Sequence, residues 1–167
     1  MDRDEFWDLI EPMGADPDDH DVAQLTGKLA TRDPADIVAF EDHLAALLYA
    51  LDTRAHARAA MARGDWFLYV RCAAVAAGRV VYAQVLAEPG RLRRFARREA
   101  EPLLSVASEA YERSTGTPWL HEPPVSYETG SNVDGWGGPA KAGRPPLWVR
   151  LVMLLARVLP RRRDADD

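Results

Sequence analysis

The sequence predicts an all-α, single-domain bundle of seven to nine helices, with one long Pro/Gly-rich loop before the last helix. Three observations predict it. Apolar residues recur at steps of three and four through most of the chain up to Thr115, and few segments alternate with period two. Helix punctuation, with Asp or Thr ahead of an apolar run and Gly or Pro behind it, marks the joints. Finally, 167 residues with 47% apolar and 28% charged side chains are enough for one buried core.

Each element follows from local chemistry. Asp4–Glu11 carries Phe6, Trp7, Leu9 and Ile10, and Pro12 with Gly14 ends it. "ADPDD" supplies caps for Asp19–Thr31, striped by Val22, Leu25 and Leu29. The third helix has Asp33 as N-cap and Pro34 at the first turn. Ile37, Phe40, Leu44, Leu47, Leu48 and Leu51 form one face. Thr53–Ala62 is an Ala-rich fourth helix. After Gly64, Asp65 is the expected cap of a fifth, with Trp66, Val70, Ala73 and Ala77 inward and Gly78 just past its end. Arg79–Ala87 is the sixth, closed by Pro89-Gly90; Arg91–Glu99 is a short turn. Pro102–Thr115 buries Leu103, Ala107, Ala110 and Tyr111, and stops at Gly116.

Residues 117–146 hold six prolines and five glycines, a density no helix survives. Trp119, Tyr127, Val133 and Trp136 are large anchors that disordered linkers lack, so the loop is expected to be ordered and packed on the body. "VDGWGG" is expected to turn tightly, with glycines at positive φ. Val125–Thr129 is the one plausible strand. A C-terminal helix spans 147–159, and 161–167 is a flexible tail, which sets the domain at 1–160. The last helix is too short to cross a bilayer. It is read as a core helix, a homodimer interface or, least of all, a membrane-surface helix with Arg150, Arg157 and Arg161 on a narrow stripe.

Four segments, "DEFWDLI", "DPADIVAFEDHL", "GDWFLYVRCAAVAAGRVVYAQVLAEPGRL" and "EAYERSTG", occur in an order that resembles domain-of-unknown-function family 4240. The resemblance covers residues 3–116. Asp65, Phe67, Arg71, Gly78 and Glu88-Pro89 stand where the family pattern has its marked positions. Arg63-Gly64-Asp65 replaces the usual Ser-Asp-Asp, and Cys72-Ala73 the usual Trp-Leu. The resemblance implies a small, mainly helical bacterial protein. The family has no established activity, so no chemistry is implied.

Charge is uneven. The chain carries −5 overall, but residues 1–52 hold 14 acidic and 3 basic side chains, and residues 53–167 hold 12 and 18. Residues 54–98 hold ten arginines against Asp65 and Glu88. Either acidic and basic helices face each other, within the fold or across a dimer, or the basic part meets a partner. The acidic N-terminal stretch has no signal-peptide pattern, which makes the cytoplasm the expected compartment. A residue usage rich in Ala, Arg, Asp and Pro suggests a high-GC bacterial genome.

The single cysteine, Cys72, allows no intrachain disulfide and reads as a small core residue. His20, His43, His56 and His121 have no metal-ligand spacing, so no metal is expected, nor any cofactor. No nucleophile elbow, phosphate loop or dinucleotide fingerprint is present.

What remains is two candidate groups. A ligand site could be made by Asp65, Arg71, Trp119 and Trp136. The plainer alternatives are a cap role for Asp65, an ion pair between a buried Arg71 and a carboxylate from residues 1–52, and core cover for the tryptophans. An anion or partner patch could be made by Arg91, Arg94, Arg97 and Arg98, against the plainer reading of a solvated face. With no catalytic constellation, the leading function is a non-catalytic binding or protein-interaction domain. The alternatives are an enzyme or binding domain for a small anionic, possibly phosphorylated, ligand, and nucleic-acid association through Arg91–Arg98. A pI near 5.4 argues against the last.

Overall fold

A computed structural model describes residues 1–14 and 16–137. The expected C-terminal helix, the tail and the loop beyond Gly137 lie outside the described residues. Among the described residues the chain forms seven α-helices and no strand. They are α1 (Arg3–Ile10), α2 (Asp19–Leu29), α3 (Pro34–Leu51), α4 (Arg54–Ala60), α5 (Gly64–Ala76), α6 (Arg79–Ala87) and α7 (Val106–Thr115). Short 3₁₀ segments cover Glu11–Met13, Pro89–Phe95 and Glu101–Ser105. No described helix is long and apolar enough to cross a membrane.

Two helices make the centre. α3 buries every residue of its expected stripe, Ile37 to Leu51, and packs against α1, α5 and α7. α5 departs from expectation. It is buried from Phe67 to Ala76 apart from the half-buried Tyr69, while Trp66 is 40% exposed. A helix at the middle of a bundle has no wet face, and the small side chains of Ala73, Ala74 and Ala76 let neighbours approach closely. Cys72 is among these residues, its thiol pushed up to about 12 by burial.

The helix starts follow cap chemistry. Asp2 and Asp18 each form a reciprocal capping box, Asp33 accepts from Ala35 N, and Thr53 accepts from His56 N. α5, like α6 and α7, starts without a side-chain cap. Its N-cap is Arg63, with no side-chain bond, and Asp65 sits inside the first turn, exposed. Asp65 therefore does not cap; it adds a negative charge at the positive helix end. The helix expected from Pro102 is instead a 3₁₀ segment, Glu101–Ser105, followed by α7 from Val106. Val125–Thr129 forms no strand: it runs through bends into a turn, with exposure alternating from residue to residue. A strand needs a second strand to pair with, and here helix carbonyls and side chains take that place.

α6 shows how a missing cap is replaced from afar. Its N-cap, Gly78, has no side chain, and the carboxylate of Glu11 accepts from Arg79 N at 3.0 Å. The Arg79 guanidinium also bonds Asp4 at 2.6 Å, so α1 and the segment after it are tied to the α5–α6 joint. Gly78 has φ 91, and a Cβ there would stand 2.9 Å from Glu11 Oε2. Gly78→Ala is expected to cost about 1–3 kcal/mol, from backbone strain and displacement of Glu11. Urea unfolding at neutral pH checks this; an unchanged midpoint would show that the joint yields freely.

Candidate functional site

The C-terminal end of α3 leaves carbonyls with no partner in the helix, as every helix end does. Three side chains bond carbonyls of its last turns, including Tyr49 O, which also accepts from Asp52 N. Arg71 Nη1 donates to Leu48 O at 2.8 Å, Tyr82 Oη to Leu47 O at 3.0 Å, and Asn132 Nδ2 to Tyr49 O at 3.1 Å. Arg71 is fully buried. Its Nη2 donates to Tyr127 O at 2.9 Å and to Thr129 Oγ1 at 3.2 Å, and Thr129 in turn donates to Gly64 O. The guanidinium lies 4.7 Å over the Phe67 ring. The expected ion pair with a carboxylate is not what holds it. A planar fork meets carbonyls at a helix end as readily as a carboxylate, and a helix C-terminus carries partial negative charge. Desolvation lowers the Arg71 pKa and the charge of Asp52 raises it.

Asp52, fully buried just after α3, is the residue that sequence reasoning missed. Its carboxylate accepts from Gly130 N at 3.0 Å, Asn132 N at 3.0 Å and Trp136 Nε1 at 2.8 Å. Arg71 holds the start of segment 127–136 and Asp52 holds its end. Gly135 lies against the α3–α4 joint, where a Cβ would come within 2.9 Å of Asp52 O and Thr53 Cγ2. Its carbonyl accepts from Arg54 N, an unpaired donor at the start of α4. Trp136 packs edge-on against Phe67 at 6.2 Å. Val133–Gly137 does turn, but the positive φ falls at Gly137 (80°), while Gly135 is required by close approach. Asp52→Ala strands three donors, and is expected to cost on the order of 2–3 kcal/mol and to free the 127–137 amides for exchange. Hydrogen exchange reads this directly, and protection unchanged at Gly130 and Asn132 would refute it.

Arg71 and Trp136 therefore share Phe67 as a packing partner. Trp119 packs elsewhere, against Tyr111 at 5.2 Å and His121 at 5.4 Å, and its backbone N–H donates to Glu112 Oε1. His121 Nε2 meets Asp42 Oδ1 at 2.7 Å. Next to Asp42, Glu41 is buried with Oε2 lacking any partner, and burial pushes its carboxyl up to about 7. His56 is buried and neutral in character: Thr53 lies 2.7 Å from Nδ1, Val85 O lies 3.1 Å from Nε2, and desolvation lowers its pKa. Among the described residues no three His, Cys, Asp or Glu side chains gather as metal ligands would.

The arginine segment is not a helical ridge. In 3₁₀ geometry residues three apart eclipse, so Leu92 and Phe95 share the buried edge. Arg91 turns back to Glu88 at 3.0 Å and Gln84, which removes it from the patch. Arg93, Arg94 and Arg97 are exposed and have no carboxylate partner among the described residues. Arg94 lies 5.0 Å over the Phe95 ring, and with Arg98 it lines a cleft of about 230 Å³. Trp66 reaches this segment through Nε1 on Ala96 O at 3.3 Å.

No curated protein and no solved structure matches the chain. A family model described as "Protein of unknown function (DUF4240)" matches residues 1–113, which takes in α1 to α6 and most of α7. With two thirds of its length matched, the chain belongs to that family.

Proposed function

We propose that the protein is a non-catalytic interaction domain of the bacterial cytoplasm that engages a protein partner through its arginine face. One observation carries the reading: Arg93, Arg94 and Arg97 are exposed without a carboxylate among the described residues, whereas Arg79 and Arg91 are matched by Asp4 and Glu88. Unmatched like charges held together cost stability, and an anionic partner relieves that cost. A small-anion site built on Arg71, Asp65, Trp119 and Trp136 has less support. The Arg71 guanidinium already donates to three internal oxygens, and Asp65 and Trp119 face elsewhere. Homodimerisation through residues 147–159 is compatible with the proposal and independent of it.

The nucleic-acid alternative gains one feature, because Trp66 stands beside the arginines. The net charge of −5 opposes it. At near-physiological salt, duplex DNA is expected to bind no tighter than about 10⁻⁴ M, the weak end of non-specific affinity. Thermal-shift titration of the full chain with poly-glutamate, inorganic phosphate, ATP and a short DNA duplex ranks the readings by mass action. Poly-glutamate is expected to give the largest stabilisation, lost in the Arg93→Glu, Arg94→Glu, Arg97→Glu variant. A larger shift with phosphate or ATP, insensitive to those changes, would replace this reading with the small-anion one.

A further inference from the structure

The cleft beside the arginines is closed by three elements: Ala77 after the end of α5, Val81 of α6, and Arg94 and Phe95 of the 3₁₀ segment, with Arg98 following. Its floor is apolar and its rim is cationic. Stacking on Phe95 holds the Arg94 guanidinium at that rim. At about 230 Å³ the cleft is smaller than the ~300–1,000 Å³ of small-molecule sites. A nucleotide or an organic cofactor would not be enclosed, whereas a single branched or aromatic side chain would.

Charge decides what surrounds that side chain. Residues 54–98 carry ten arginines and two carboxylates, so acidic neighbours are favoured on both sides of the anchor. Among the described residues a second copy offers a poorer match. In its acidic α1, Phe6, Trp7, Leu9 and Ile10 are already buried, and the exposed Leu120 and Val133 have an acidic near neighbour on one side only, Glu122 and Asp134.

We infer that this cleft receives one large apolar side chain from an acidic segment of a partner protein, whose flanking carboxylates engage Arg94 and the neighbouring arginines. The inference rests on the interaction reading above and specifies its partner. The apolar anchor supplies the fit, and the carboxylates supply register and salt dependence.

Selection of a phage-displayed random peptide library on the full chain tests it. Enriched peptides are expected to carry one Leu, Phe or Trp between acidic residues. Their labelled versions should bind at least about tenfold more weakly to Val81→Asp and to Arg94→Glu, both checked for a parental circular dichroism spectrum. Arg91→Ala, whose guanidinium is taken up by Glu88, should leave affinity within about twofold. Because Arg94 is exposed, Arg94→Glu keeps the test decisive if Val81→Asp fails to fold. Enriched peptides that lack the acidic-apolar pattern, or that bind both variants as well as the parent, overturn the cleft assignment and leave the interaction reading standing. Absence of any enriched peptide also overturns it. If poly-glutamate then gives no thermal shift either, the interaction reading falls with it.

Discussion

Replacing Arg71 with alanine is expected to destabilise the fold by about 3–5 kcal/mol, the scale for removing one member of a buried charged network. The removal strands Leu48 O and Tyr127 O and takes away the Arg71 donor to Thr129 Oγ1. Each stranded buried acceptor costs about 1–3 kcal/mol, and the emptied volume over Phe67 adds a cavity term. Arg71→Lys separates geometry from charge. An ammonium can satisfy one carbonyl but cannot span α3 and the loop, so most of the loss should remain. Urea unfolding measures both. If Arg71→Lys were as stable as the parent, the two-ended bridge would not be what holds the loop. Loss of the bridge should also expose the Trp136 indole, which a red shift in its emission reports.

Much of this arrangement was legible in the sequence, and what was not has a physical cause. The α3 stripe and its Asp33-Pro34 start are local facts of spacing and capping, so they can be read directly. Burial of Arg71 could be read from its apolar neighbours, but its partners could not. They lie 23, 56 and 58 residues away and two of the three are backbone carbonyls, which have no sequence signature. Asp52 escaped notice for the same reason, although Leu51-Asp52-Thr53 does place a lone acid between two helices. The turn at Val133–Gly137 could be read from its glycines, but not the reason Gly135 is needed, because the crowding comes from α3 and Thr53. Conversely, the three-then-four spacing of Arg91, Arg94 and Arg98 suggested an α-helical ridge, which a 3₁₀ segment of period three that ends at Phe95 does not form. Glu41 has no burial signal in the sequence, because the groups near it, His121 and Tyr127, are some eighty residues away along the chain.

Glu41 carries the second large effect, and its sign follows from linkage. The carboxyl rises from 4.5 to about 7, first through desolvation; Asp42 adds to the rise and His121 opposes it. Tyr127 and Cys72 of α5 also feel its charge, and both are pushed upward. A carboxyl raised in the folded state favours the protonated fold. Its contribution is complete below pH 4.5, is lost as pH climbs through about 7, and changes little beyond. The span corresponds to about 3 kcal/mol of stability between pH 4.5 and pH 8. Glu41→Gln keeps the shape and cannot ionise. The variant's stability relative to the parent should therefore improve by about that amount from pH 4.5 to pH 8, whatever fixed cost the buried amide adds at both. Urea unfolding of parent and variant across this range gives the difference directly. If the two profiles run parallel, Glu41 ionises in the fold at no cost, and the unpartnered oxygen must find water or a donor when charged. If they differ as expected, hydrogen-exchange protection at Trp119–Thr129, taken relative to the intrinsic rate at each pH, should fall above neutral pH in the parent alone, because the charge that appears at Glu41 has no hydrogen-bond donor to meet it.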